Sequence, residues 1–113
     1  MLGDMSNIPV GGLIRDQLEK RLEAEGYQCR TRQIAGRELQ GAIASALTSA
    51  ISLYLAAPSA ERAAEAADLL KRAAAHQDIA WDEVETQQKS LLNEQGTYSD
   101  IILEAAGPRP AKA

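Results

Sequence analysis

The sequence predicts an all-α domain, and three observations carry that reading. Of 113 residues, 21 are alanine and none is phenylalanine; alanine is the best helix former and buries little area by itself. Apolar residues recur at helical spacing along four segments. Glycine or proline punctuates the chain between them, at Gly26, Gly36, Pro58 and Gly96. A chain this short forms one domain that buries roughly two-thirds of its unfolded surface. An alanine-rich, aromatic-poor core of this kind is thin, which predicts completion by a second subunit.

Taken in order, residues 1–12 hold Gly3, Pro9, Gly11 and Gly12 and form an irregular lead-in. Residues 13–25 carry Leu13, Ile14, Leu18 and Leu22 at helical spacing, with Gly26 as the stop. Residues 27–34 alternate and contain Tyr27 and Thr31, so they predict a short strand. A second helix follows over 37–57, with Leu39, Ile43, Ala46, Leu47, Ala50, Ile51 and Tyr54 on one stripe. Pro58 ends it, and Ser59 is a good N-cap for a third helix over 60–76. Residues 77–79 make a turn before a fourth helix over 81–94, with Trp81, Val84 and Leu91 or Leu92 facing inward. Residues 99–104 predict a second strand, able to pair with the first as a small two-stranded ribbon on the helices. Residues 105–113, with Pro108 and Pro110, are a loose tail, which leaves 13–104 as the folded domain.

Charge and composition exclude several classes. Twelve basic residues against sixteen acidic ones give a net charge of −4, the wrong sign for a sequence-blind nucleic-acid binder. Cys29 is the sole cysteine, so an internal disulfide and a cysteine zinc site are excluded and a reducing, cytoplasmic setting is expected. Residues 1–10 lack the basic and apolar parts of a signal peptide. Residues 40–57 carry no charge over 18 positions. They include Gln40, Ser45, Thr48, Ser49 and Ser52, which favours a helix buried by protein on most sides over a membrane span.

The third helix holds the most suggestive group. Glu61, Glu65 and Asp68 stand at i, i+4 and i+7 and share one face. Oxygen ligands in this arrangement suit Mg²⁺, which takes one or two protein carboxylates beside waters and phosphates. The same spacing serves ordinary surface pairing, with Arg62 before Glu65 and with Lys71 and Arg72 after Asp68. Arg30, Arg32 and Arg37 face either a phosphate or solvent along an exposed edge. Lys89 and Asn93 share a face of the fourth helix, within reach of a ligand or of solvent. His76 has no second histidine to join it, and Gly11-Gly12 is not followed by the Lys-Ser/Thr of a phosphate loop.

Across residues 8–104 the order of these pieces resembles the MazG-like, all-α nucleoside triphosphate pyrophosphohydrolases and their relative phosphoribosyl-ATP pyrophosphohydrolase. Leu13-Ile14-Arg15-Asp16 is similar to the family's Leu-Val-Arg-Asp opening, and the segment from Glu65 to Leu70 resembles its Glu-x-x-Asp helix. Residues 76–90 resemble its following turn and helix, and 96–103 its Gly-Gly-Phe and closing strand. The resemblance implies a four-helix MazG-like bundle, a homodimer or homotetramer and a nucleotide ligand. It further implies Mg²⁺ at Glu65 and Asp68 with Glu61 nearby, and substrate contacts at Arg15, Asp16, Lys89 and Asn93. The family's first acidic pair is missing, because Ser49 with Ser52, or Ala50 with Leu53, stands where it should be. Two carboxylates are too few to gather the metal that activates water against a phosphoanhydride. The expected function is therefore a scaffold that binds nucleotide or protein, with weak or no pyrophosphohydrolase activity. The alternatives are an active enzyme that recruits Glu61, or Glu38 of the partner subunit, and a purely structural assembly module.

Overall fold

The computed structural model describes residues 8–110. It is all-helical over that range: α1 (Leu18–Ala24), α2 (Gly36–Ala56), α3 (Ala60–His76) and α4 (Trp81–Gln95). The chain divides into two compact units, Met1–Trp81 and Asp82–Ala113.

The first unit is built on the α2–α3 hairpin, the one pair of helices that pack on each other among the described residues. Pro58 and Ser59 make the reversal. The Ser59 hydroxyl accepts from the Arg62 backbone N–H at 3.1 Å and so satisfies one orphan donor of α3. The Arg62 side chain then reaches back, donating through Nη1 to the carbonyls of Leu53 at 2.9 Å and Ala57 at 3.2 Å. One residue thus closes both helix ends, since α2 has no basic residue of its own in its last turn. Ile43 and Ala50, two turns apart on α2, are the buried side chains among the described residues, at 2% and 6% exposure. Leu39, Ala46 and Leu47 are half-buried beside them. The predicted stripe ends there: Ile51 and Tyr54 are exposed, as are their neighbours Leu53 and Leu55.

The helix stops follow from local chemistry. Gly26, at φ 100°, ends α1 with the Tyr27 N–H on the Leu22 carbonyl and its own N–H on the Glu23 carbonyl, a Schellman motif. Asp78 does the same for α3 at φ 59°, with the Ile79 N–H on the Ala74 carbonyl and the Asp78 N–H on the Ala75 carbonyl. Aspartate tolerates this left-handed conformation better than most side chains.

Two expectations are corrected. The first helix begins at Leu18 and not at residue 13, because the Leu18 N–H bonds to the Arg15 carbonyl in a tight turn over Asp16 and Gln17. Leu13 and Ile14 are half-buried ahead of that turn. The two-stranded ribbon is absent, and no strand forms among the described residues. Residues 28–34 make no backbone hydrogen bond to another described segment and are held by side chains instead. Residues 99–104 belong to the other unit and are exposed throughout. An extended run without a ladder partner is not a strand.

By length and composition α2 is also able to cross a membrane, with a mean hydropathy of 1.4. Core helices of soluble proteins that pass the same test are mostly buried, whereas only 11% of this stretch is buried, with α3 packed along one side. The expected burial by protein on most sides is not found among the described residues.

The second unit is simpler. It contains most of α4, whose Val84 and Ser90 are half-buried while Leu91 and Leu92, expected to face inward, are exposed, and residues 96–110, which form no helix. Gly96, at φ 79°, ends α4 with its N–H on the Leu92 carbonyl. Beyond it Tyr98, Ile101, Ile102 and Leu103 are more than four-fifths exposed.

Ile43→Ala is expected to destabilise the chain by about 2–4 kcal/mol through the cavity it leaves. Ser59→Ala is expected to cost about 1 kcal/mol, and Ser59→Asp to cost much less, because aspartate keeps the cap. Urea unfolding followed by circular dichroism measures both.

Candidate functional site

The carboxylates singled out in the sequence lie on the exposed side of α3, and their partner comes from far away in the chain. Arg15, in the turn before α1, donates from Nε and Nη2 to Glu65 Oε1 at 3.1 and 2.8 Å. The same Nη2 donates to Asp68 Oδ2 at 2.8 Å. One guanidinium therefore spans both acids, a geometry that its planar fork suits and that a lysine ammonium does not reproduce. All three side chains are about half exposed, so each pair contributes at most about 1 kcal/mol. Hydrogen bonds to Asp68 and then Glu65 push the Arg15 guanidinium further above its already high range, so it is charged at every accessible pH.

Glu65 and Asp68 are thus together, as the spacing predicted, and Arg15 is with them. Glu61 is exposed one turn earlier on α3 and takes no part in the Arg15 contact. Asp16 is exposed in the turn. Lys89 and Asn93 are exposed on α4, inside the second unit. Among the described residues, no group of three or more His, Cys, Asp or Glu side chains is arranged to hold a metal ion. Ser49 and Ser52 are exposed on α2.

The local pairs that spacing alone suggested do not form. Arg62 caps α2 instead of meeting Glu65. Lys71 lies over the Trp81 ring, 5.9 Å from its centroid, instead of meeting Asp68. Tertiary position overrides helix neighbourhood here, since exposed i, i+3 and i, i+4 pairs are worth only a few tenths of a kcal/mol.

A second feature had no sequence signal. A groove of about 800 Å³ opens in the first unit. Leu13, Ile14, Leu18, Leu22, Ile34 and Leu39 are among the side chains that line it. Along its wall Tyr27 and Cys29 are half-buried while Gln28 and Arg30 are exposed, the alternation of an extended chain. The wall is pinned to its flanking helices. The Thr31 hydroxyl donates to Glu19 Oε2 at 3.1 Å. Arg32 clamps Glu38 with two hydrogen bonds, Nη1 to Oε1 at 3.0 Å and Nη2 to Oε2. Arg30 and Arg72 also line the groove and form no ion pair among the described residues.

Compared with protein-family models, with curated proteins and with solved structures, the chain gives no match.

The Arg32 clamp has a pH consequence. Its hydrogen bonds favour ionised Glu38 and hold that carboxyl below the usual glutamate range. A lowered folded-state pKa gives a contribution that is present above the ordinary glutamate pKa and lost as pH falls through the folded value. A carboxyl-carbon NMR titration is expected to find Glu38 titrating below an unperturbed glutamate, and Arg32→Gln is expected to return it upward.

Proposed function

We propose that this chain is a divergent MazG-like helical module that acts as an oligomeric scaffold for nucleotide or protein, with little or no pyrophosphohydrolase activity. The observation that supports this reading is the position of Arg15 between Glu65 and Asp68. A phosphoanhydride hydrolase needs its carboxylates to collect divalent cations, which neutralise the triphosphate and lower the pKa of the attacking water. Here the two acids already hold a permanent cation. A metal ion entering between them must displace the guanidinium and then finds only two carboxylates. Where Mg²⁺ does bind, Glu65 and Asp68 are the residues to hold it, with Glu61 one turn away, and the metal supplies charge neutralisation of a bound phosphate. In the nucleotide-binding version of the scaffold, Arg15 is the residue whose guanidinium would meet a phosphate, with Asp16 beside it.

The assembly part of the proposal has its own support. A helix with 18 consecutive uncharged residues and only two buried side chains leaves much apolar surface open. Ile51, Leu53, Tyr54 and Leu55 form a run at the C-terminal end of α2 that a subunit contact would cover. Serines and a threonine interspersed along α2 favour a protein surface over lipid as the cover, and a homodimer or homotetramer in the cytoplasm is the expected setting.

Purified protein incubated with a panel of nucleoside triphosphates and Mg²⁺ or Mn²⁺ is expected to release no pyrophosphate above background. Light scattering is expected to give twice or four times the chain mass. Chelator-sensitive turnover abolished by Glu65→Ala or Asp68→Ala overturns the catalytic part, and a monomer at micromolar concentration overturns the assembly part.

A further inference from the structure

We infer that the groove of the first unit receives residues 100–104 from a second copy of the chain, so that two copies exchange tails. This rests on the assembly reading above and names the contact that carries it.

The groove and the tail are complementary in three respects. The groove is lined by aliphatic side chains, and the tail offers Ile101, Ile102 and Leu103, exposed at 85, 83 and 82%. Exposed aliphatic clusters of this size mark interaction surfaces. Charge fits as well. The tail segment is bounded by Asp100 and Glu104. Arg30 and Arg72 at the groove have no ion-pair partner among the described residues, while Glu19 and Glu38 are engaged by Thr31 and Arg32. In a chain of net charge −4, this is a place where an acidic segment meets cations instead of further acids.

Backbone chemistry fits third. Residues 27–30 alternate between half-buried and exposed, and residues 28–34 make no backbone hydrogen bond to another described segment. Residues 101–110 form no helix or strand. An extended segment added along such a wall satisfies main-chain groups on both sides, with alternate side chains entering the groove. In that register Ile101 and Leu103 enter together and Ile102 faces away. The sequence periodicity that predicted two strands is then a property of the dimer. Each copy carries a groove and a tail, so a two-fold pair in which the tails are exchanged fills both grooves.

Cys29 lines the groove and is the sole cysteine, which makes the contact testable in the full chain. Wild-type protein is mixed with the double variant Cys29→Ser, Leu103→Cys and treated with a short bis-maleimide. Linked peptides are then identified by mass spectrometry. The expected product joins Cys29 of one copy to position 103 of the other, on the order of tenfold more than with Cys29→Ser, Arg109→Cys, as tethering inside a complex predicts. Arg30→Glu with Arg72→Glu in the wild-type partner is expected to reduce that yield several-fold. Equal yields from positions 103 and 109, or no product at either, overturn the exchange. So does a link formed within one chain when Cys29 and Leu103→Cys are placed together at high dilution. A dimer by light scattering without the 29–103 link overturns the exchange and leaves the assembly reading standing, whereas a monomer overturns both.

Discussion

The charge-free run of α2 is the constraint on which the rest of the molecule depends. Glu38 opens the helix, and no ionisable carboxylate, ammonium or guanidinium follows until Glu61 on α3. The helix can therefore lie against α3 without desolvating an ion, a step that costs several kcal/mol for each unpaired charge. It buries Ile43 and Ala50 there and relies on Arg62 of α3 for the cap it cannot supply itself. In the MazG-like reading proposed above, the same absence would leave the helix without the carboxylates of a multi-metal site.

Arg15 completes that account from the other side. Two acids one turn apart on a solvated helix repel each other, and a guanidinium shared between them removes the repulsion without a metal. The energy involved is small because the groups are exposed. Its consequence is positional: the turn before α1 is tethered to α3, and Leu13 and Ile14 are carried into the groove wall beside it. The acidic pair is thus structural glue for the N-terminal segment.

Much of the helical layout was legible in the sequence. Ser59 as a cap, Gly26 as a stop and the bounds of α3 follow from local chemistry, and local chemistry decides them. The grouping of Glu65 with Asp68 was legible too, because helical periodicity fixes it. What occupies that pair was not: Arg15 is 50 residues from Glu65, and no local rule selects it over Arg62 or Lys71. The strands were misread for a related reason. Alternation in residues 27–34 and 99–104 records a preference for extended backbone, while a strand also needs a neighbour at ladder distance. The late start of α1 has the same origin, since Leu13 and Ile14 match a helical stripe but serve a groove.

The most direct test of the central claim is a Mn²⁺ titration of isotopically labelled protein, followed by paramagnetic broadening of the backbone amides on α3. With Arg15 in place, the amides around Glu65 and Asp68 are expected to broaden no more than those beside other exposed acids such as Glu83 and Glu85. Arg15→Ala is expected to produce selective broadening there, as the freed carboxylates turn to the metal. Selective, saturable broadening at Glu65 and Asp68 in the unaltered protein would contradict the account.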